Sequence, residues 1–182
     1  MHASTETGRL LHEDHHRTID LVNRVEAFLA ETSDETVAAI TSSAVRALLE
    51  DMHQFLAEEL EPHFEFEEQA VFPIVRAGGA YALAAALVDE HAAIRPLARR
   101  VRAVCAQALQ EGFDAEIWPV FRVFAEALAD RMVFHLQKEE TTLLQAIDAA
   151  LGADGDRMLA KIYRTIIEDR RRQAINGMGT GA

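Results

Sequence analysis

His63-Phe-Glu-Phe-Glu67-Glu68 and His135-Leu-Gln-Lys-Glu139-Glu140 are two versions of one phrase. Each places a carboxylate four residues after a histidine. On an α-helix that spacing stacks both side chains on one face, close enough to grip a single cation. Two further histidines, His15 and His91, lie in other helical stretches. Together they point to a metal site inside a helix bundle.

The rest of the chain reads as the helices such a site needs. Apolar residues make up 49% of the 182, with few Gly and Pro, which favours an all-α fold. Punctuation divides the chain into long segments. The first is expected over 5–30, and the second over 35–76, ending at Gly78-Gly79. Pro62 should kink or break the second just before His63. The third is expected over 80–110. The fourth starts after Asp114, a capping residue with Phe113 and Trp118 at staple spacing, and runs to about Leu151. A fifth, over 156–175, precedes a Gly-rich end. Short connections favour antiparallel neighbours. The expected fold is an up-down-up-down four-helix bundle over 5–151, with a C-terminal helix over 152–176 packed on the same domain and a flexible tail over 177–182.

Periodicity locates the ligand candidates on the inner faces. His15 shares a face with Ile19, Val22 and Leu29. Leu56, Leu60, His63, Glu67 and Ile74 form the second stripe, and Leu87, His91, Ile94, Ala98 and Val101 the third. Phe121, Phe124, Leu128, Met132, His135, Glu139 and Thr142 form the fourth. His15 and His91 lie near the starts of their helices, and the two His-Glu pairs near the ends of theirs. In an antiparallel bundle all six groups therefore fall roughly 15–20 Å from the same end, at 1.5 Å per residue.

A lone histidine on an apolar face is usually a hydrogen-bonded core residue. Four histidines and two carboxylates at one level need a different account, because burying unpaired carboxylates costs several kcal/mol each. A multivalent cation removes that cost. The donor set is too rich in nitrogen for calcium or magnesium and lacks the thiolates of structural zinc. Six ligands suit two iron or manganese ions, with glutamates able to bridge and a solvent-derived oxygen shared between the metals. Zinc is the remaining option.

The ordered set of Asp14-His15, His63-x3-Glu67-Glu68 with Phe72-Pro73, Glu90-His91 and His135-x3-Glu139-Glu140 resembles the hemerythrin-like (HHE cation-binding) domain over about Leu10 to Leu151. The resemblance implies a non-haem di-iron centre (Fe2+/Fe3+) that binds or senses oxygen, handles nitric oxide, senses redox state or iron, or acts on peroxide. It implies His15, His63, His91 and His135 as terminal ligands, with Glu67 and Glu139 as bridges. Glu140 competes with Glu139, because it has the spacing of the bridging aspartate in the oxygen carriers. His12 and His16 compete with His15, which is preferred because it shares the face of Ile19 and Val22. The oxygen carriers have another histidine four residues after the one on the third helix. Here that place is Arg95, which cannot ligate while protonated. Losing an imidazole there opens the centre to water, anions or peroxide and argues against reversible oxygen carriage. Arg95 is then either a cation pairing with a nearby glutamate or a surface residue pointing away.

One rival motif is His12-Glu13-Asp14-His15-His16, an HExxH pattern of zinc-dependent hydrolases. The residues read before it are not expected to form the substrate-binding strand of such enzymes. A third reading is an iron-responsive interaction protein without catalysis, acting through an unidentified protein partner. The formal charge of −12 argues against nucleic acid and anionic membranes as partners. Cys105, the one cysteine, excludes an intrachain disulfide and reads as a buried thiol. No signal peptide is evident, and no apolar run is long enough to span a bilayer, so the expected location is the cytoplasm. The expected function is binding of, or reaction with, a small ligand (oxygen, nitric oxide or peroxide) for sensing or peroxide removal.

Overall fold

The computed structural model describes residues 4–32 and 42–178, with side chains to residue 167. Four long helical elements form the bundle. The first is α1, Glu6–Glu31. The second is built from α2, Ser43–Glu58, α3, Leu60–Phe66, a π-helical turn, Glu67–Val71, and α4, Phe72–Ala77. The third is α5, Tyr81–Glu111. The fourth is α6, Ile117–Lys138, a second π-helical turn, Glu139–Leu143, and α7, Leu144–Ala150. An additional helix, α8, Ala153–Met178, follows. The fold is the all-α up-down-up-down bundle with an extra C-terminal helix. The expected start of the second helix at Glu35 lies outside the described residues, as do residues 179–182 of the expected tail. Helix α8 begins three residues earlier than expected and continues through residues 177 and 178.

Local chemistry sets the ends of the elements. Thr5 caps α1 by accepting from the Gly8 N–H, and Ser42 caps α2 through the Val45 N–H. The second element breaks at Glu59, with φ −110° and ψ −45°, so that Pro62 sits in the first turn of α3, where a missing N–H costs nothing. Gly79, at φ +98°, takes the left-handed conformation that closes α4. Asp114 Oδ1 accepts from the N–H groups of Glu116 and Ile117 at 2.8 and 2.7 Å, and the rings of Phe113 and Trp118 lie 4.9 Å apart as the staple spacing predicts. Arg122 Nη1 donates to the carbonyls of Leu29, in the last turn of α1, and of Thr32, just past its end, each at 2.9 Å.

Two apolar clusters fill the interior. One gathers Val22, Phe28, Leu49, Val101, Trp118 and Phe121. The other gathers Leu11, Phe66, Phe72, Leu87, Leu143 and Ile147. Cys105 is fully buried in the first, and burial pushes its thiol up to about 12. Helix α8 closes the second with Leu159 and Tyr163, and Asp156 accepts from the N–H groups of Glu6 and Thr7 at the free end of α1, each at 2.8 Å. No helix among the described residues is long and apolar enough to cross a membrane.

The inward stripes of α1 and α5 follow the expected spacing, but those of the second and fourth elements change register midway. Beyond Glu67 the buried residues are Val71, Phe72 and Val75, not Ile74. Beyond Glu139 they are Leu143, Leu144 and Ile147, and Thr142 is exposed. The π-helical turns are the cause. The Phe72 N–H donates to the Glu67 carbonyl and the Leu144 N–H to the Glu139 carbonyl, each spanning five residues. Each turn absorbs one extra residue, so the inner face resumes one position later.

Candidate metal centre

The six side chains singled out by spacing meet between the two apolar clusters. His15, His91, His135, Glu67 and Glu139 are at most 1% exposed, and the His63 side chain 10%. Their inward atoms form two groups that share both glutamates. His15, His63, Glu67 and Glu139 make one, and His91, His135, Glu67 and Glu139 the other, with all ligand atoms in a group within 4.8 Å of one another. The two oxygens of each carboxylate divide between the groups. Glu67 Oε1 lies 3.4 Å from His63 Nε2 and Oε2 lies 3.3 Å from His91 Nε2. Glu139 Oε2 lies 3.3 Å from His15 Nε2 and Oε1 lies 3.3 Å from His135 Nε2.

A ring of carboxylates orients the four imidazoles. His63 Nδ1 donates to Asp14 at 3.2 Å, His91 Nδ1 to Glu68 at 2.8 Å, His135 Nδ1 to Glu90 at 3.0 Å, and His15 Nδ1 to Glu140 at 2.6 Å. The support is cyclic: the first bundle element holds the histidine of the second, the second that of the third, the third that of the fourth, and the fourth that of the first. A carboxylate has no proton to give, so each Nδ1 carries the hydrogen, and a neutral imidazole held this way turns its Nε2 lone pair inward. Every supporting carboxylate has a further donor. Tyr163 and Arg17 donate to Asp14, Arg95 to Glu68, Lys138 to Glu90 and His12 to Glu140.

This placement separates the competing candidates. His15 faces inward, while His12 and His16 lie toward solvent, with His12 on the outer oxygen of Glu140. Glu139 is buried and Glu140 faces outward as the support of His15. Arg95 does not point away. Its Nε donates to Glu61 at 2.9 Å, its Nη1 to Glu68 at 2.9 Å, and the guanidinium lies over the Phe64 ring. Glu13 of the HExxH motif is exposed on α1, and no strand is present among the described residues.

The electrostatics of the interior call for a cation. All four oxygens of Glu67 and Glu139, with His15 Nε2, are buried without a hydrogen-bond partner. His91 Nε2 and His135 Nε2 face each other at 3.2 Å, with both Nδ1 hydrogens already committed elsewhere. Burial holds His15 below its ordinary value and His135 down to about 4, keeping both imidazoles in the neutral, ligating form. Burial opposes charge on both Glu67 and His63, but their mutual attraction outweighs it, holding the Glu67 carboxyl well below its usual range and, with Asp14, the His63 imidazole well above its own. Burial and the neighbouring Glu67 push Glu139 well above it. The protein's own groups thus balance one buried carboxylate and leave the second needing a proton or a metal. Nitrogen and oxygen donors in two sets of four fit a pair of first-row transition ions.

Apolar packing encloses this layer. Phe64 stacks on His91 with centroids 3.7 Å apart at 11°, and Phe72 closes on the same ring at 5.6 Å. On the other flank a cavity of about 290 Å³ extends from Arg17, Gln54 and Glu59 to His63, Phe64 and Leu136.

Sequence reasoning singled out the six side chains that cluster inward but missed most of their supports. Asp14, Glu68, Glu90 and Glu140 each stand next to an inner donor, so those acidic neighbours were the signal. Tyr163, supplied by α8, has no comparable mark.

Comparison with known proteins agrees with this geometry. The Hemerythrin HHE cation binding domain matches residues 8–147. A curated DNA nickase of Nostoc sp. (strain PCC 7120 / SAG 25.82 / UTEX 2576) is 26% identical over 125 residues, covering 69% of this chain. The matched region covers 32% of that relative, so the chain spans about a third of its length. No solved structure gave a significant match.

Proposed function

This chain belongs to the hemerythrin HHE cation-binding family, and from that premise we propose that it holds two iron ions and binds or reacts with a small ligand such as oxygen, nitric oxide or peroxide. The observation that carries the reading is the division of each buried carboxylate, with one oxygen facing each pair of histidines. His15 and His63 would hold one ion, His91 and His135 the other, and Glu67 and Glu139 would bridge them. Bound iron would supply Lewis acidity and single-electron equivalents.

The protein supplies the rest. Four carboxylates hold the Nδ1 protons and fix the imidazoles before metal arrives. Phe64 and Phe72 exclude water on the His91 side, which lowers the local dielectric and affects redox potential. The cavity ending at His63 gives a small ligand a route to the His15/His63 side. With four protein donors each, the ions would keep room for exchangeable ligands.

The name of the Nostoc relative suggests a second activity, nicking of DNA. The formal charge of −12 opposes a phosphate backbone, so we favour small-ligand chemistry over DNA as the task of this region.

The deciding experiment is metal content per chain after anaerobic purification without added metal or chelator. Two irons per chain, followed by spectral change with oxygen or nitric oxide or by catalytic loss of peroxide, is the expected result. One zinc and no iron would overturn the di-iron reading.

A further inference from the structure

Outside the bundle interior, α1 carries a second pair of histidines. His12 and His16 stand one turn apart, and their Nε2 atoms lie 3.1 Å from each other, with ring planes at 86°. His12 Nδ1 is committed to Glu140 Oε2 at 2.7 Å, which leaves the His12 lone pair on Nε2. His16 is exposed and the His12 side chain is 25% exposed, so a hydrated ion can reach both.

The spacing suits a shared ion. With metal–nitrogen bonds of about 2.1 Å, nitrogens at this separation subtend about 95°, between the tetrahedral and the octahedral cis angle. Without an ion, a His16 Nε2–H donated to His12 Nε2 explains the same contact. A shift of that single proton to His16 Nδ1, the other neutral tautomer, frees both Nε2 lone pairs without moving either ring.

We propose that His12 and His16 form a second, solvent-facing site for a borderline divalent transition metal, Zn2+ or Ni2+, completed by water and separate from the buried centre. Neutral imidazoles select such ions over calcium and magnesium. Glu140 acts as the orienting carboxylate of His12, fixing its tautomer as it does for His15 through its other oxygen. One carboxylate therefore stands behind both sites. The HExxH motif is absorbed here as a binding pair, with Glu13 exposed beside it and outside the coordination.

The test is a calorimetric titration of Zn2+ into the metal-stripped full chain, with bound metal counted after dialysis. Wild type should take up three ions per chain, and His16→Ala two, with its helical circular dichroism unchanged. His16→Ala is the cleaner variant because it leaves both Glu140 hydrogen bonds intact, and His12→Ala should also lose one ion. His53→Ala, on α2 and in neither donor group, should keep three. If the buried centre takes no metal, wild type should bind one ion and His16→Ala none, so the two proposals fail separately. Equal stoichiometry in wild type and His16→Ala would overturn the outer site.

Discussion

Glu140 and His15 meet at 2.6 Å, carboxylate oxygen to Nδ1, while the adjacent Glu139 turns the other way and is wholly buried. Neighbouring residues thus serve the same imidazole ring from opposite sides: one holds its proton, and the other stands with its lone pair.

That difference predicts a graded response. Glu139→Ala should abolish binding of at least one ion. Glu140→Ala should weaken metal affinity about 10–100-fold, as is usual when an orienting partner of a ligand histidine is lost. Competition with a chromogenic chelator measures both. Equal losses would contradict the division of roles.

Glu67→Ala should lose most of the bound metal, and with it the stabilisation that metal confers on the folded state. Metal content and melting temperature of the purified variant check this together. An unchanged melting temperature at wild-type metal content would remove Glu67 from the centre.

Tyr163→Phe tests whether α8 reaches the metal layer. The lost hydroxyl donates to Asp14, which orients His63. Removing it should cost about 1 kcal/mol of stability and weaken metal binding on the His15/His63 side more than on the His91/His135 side. Stepwise metal titration would resolve the unequal loading.

Asp156 gives a pH prediction away from the metal. Burial alone would raise its carboxyl, but the N–H groups of Thr7 and Glu6 outweigh burial and hold it below the ordinary value of 3.8. A carboxyl lowered on folding stabilises fully above its unfolded value and loses that contribution as pH falls through its folded value. Asp156→Ala should therefore cost about 1–2 kcal/mol near neutral pH, as for a helix cap. The gap from wild type should narrow as pH drops below about 4. Urea denaturation at several pH values measures it.

The helices and the clustering of the six inward side chains were legible because both rest on local spacing. Four residues on a helix fix which side chains share a face, and Gly79 and Asp114 mark ends through their own backbone chemistry. The supporting ring was not legible, because it depends on which helices are neighbours. Asp14 stands beside His15 in sequence yet holds His63, and Glu140 reaches back to the first helix. Tyr163 enters through the fifth helix, whose docking no local pattern fixes. The misplacement of Ile74 and Thr142 has another origin. A π-helical turn changes the period itself, and neither Glu67–Val71 nor Glu139–Leu143 contains a residue that advertises one.

The two π-helical turns put a phase shift in the helices that carry Glu67 and Glu139. The segment before each turn counts in step with the layer of inward histidines, and the segment after it counts one residue late. Transplanting either His-x3-Glu segment with its following turns onto an uninterrupted α-helix would therefore keep the donors aimed correctly and present the wrong edge to the core beyond them. The portable unit of this fold is the motif together with its surplus residue.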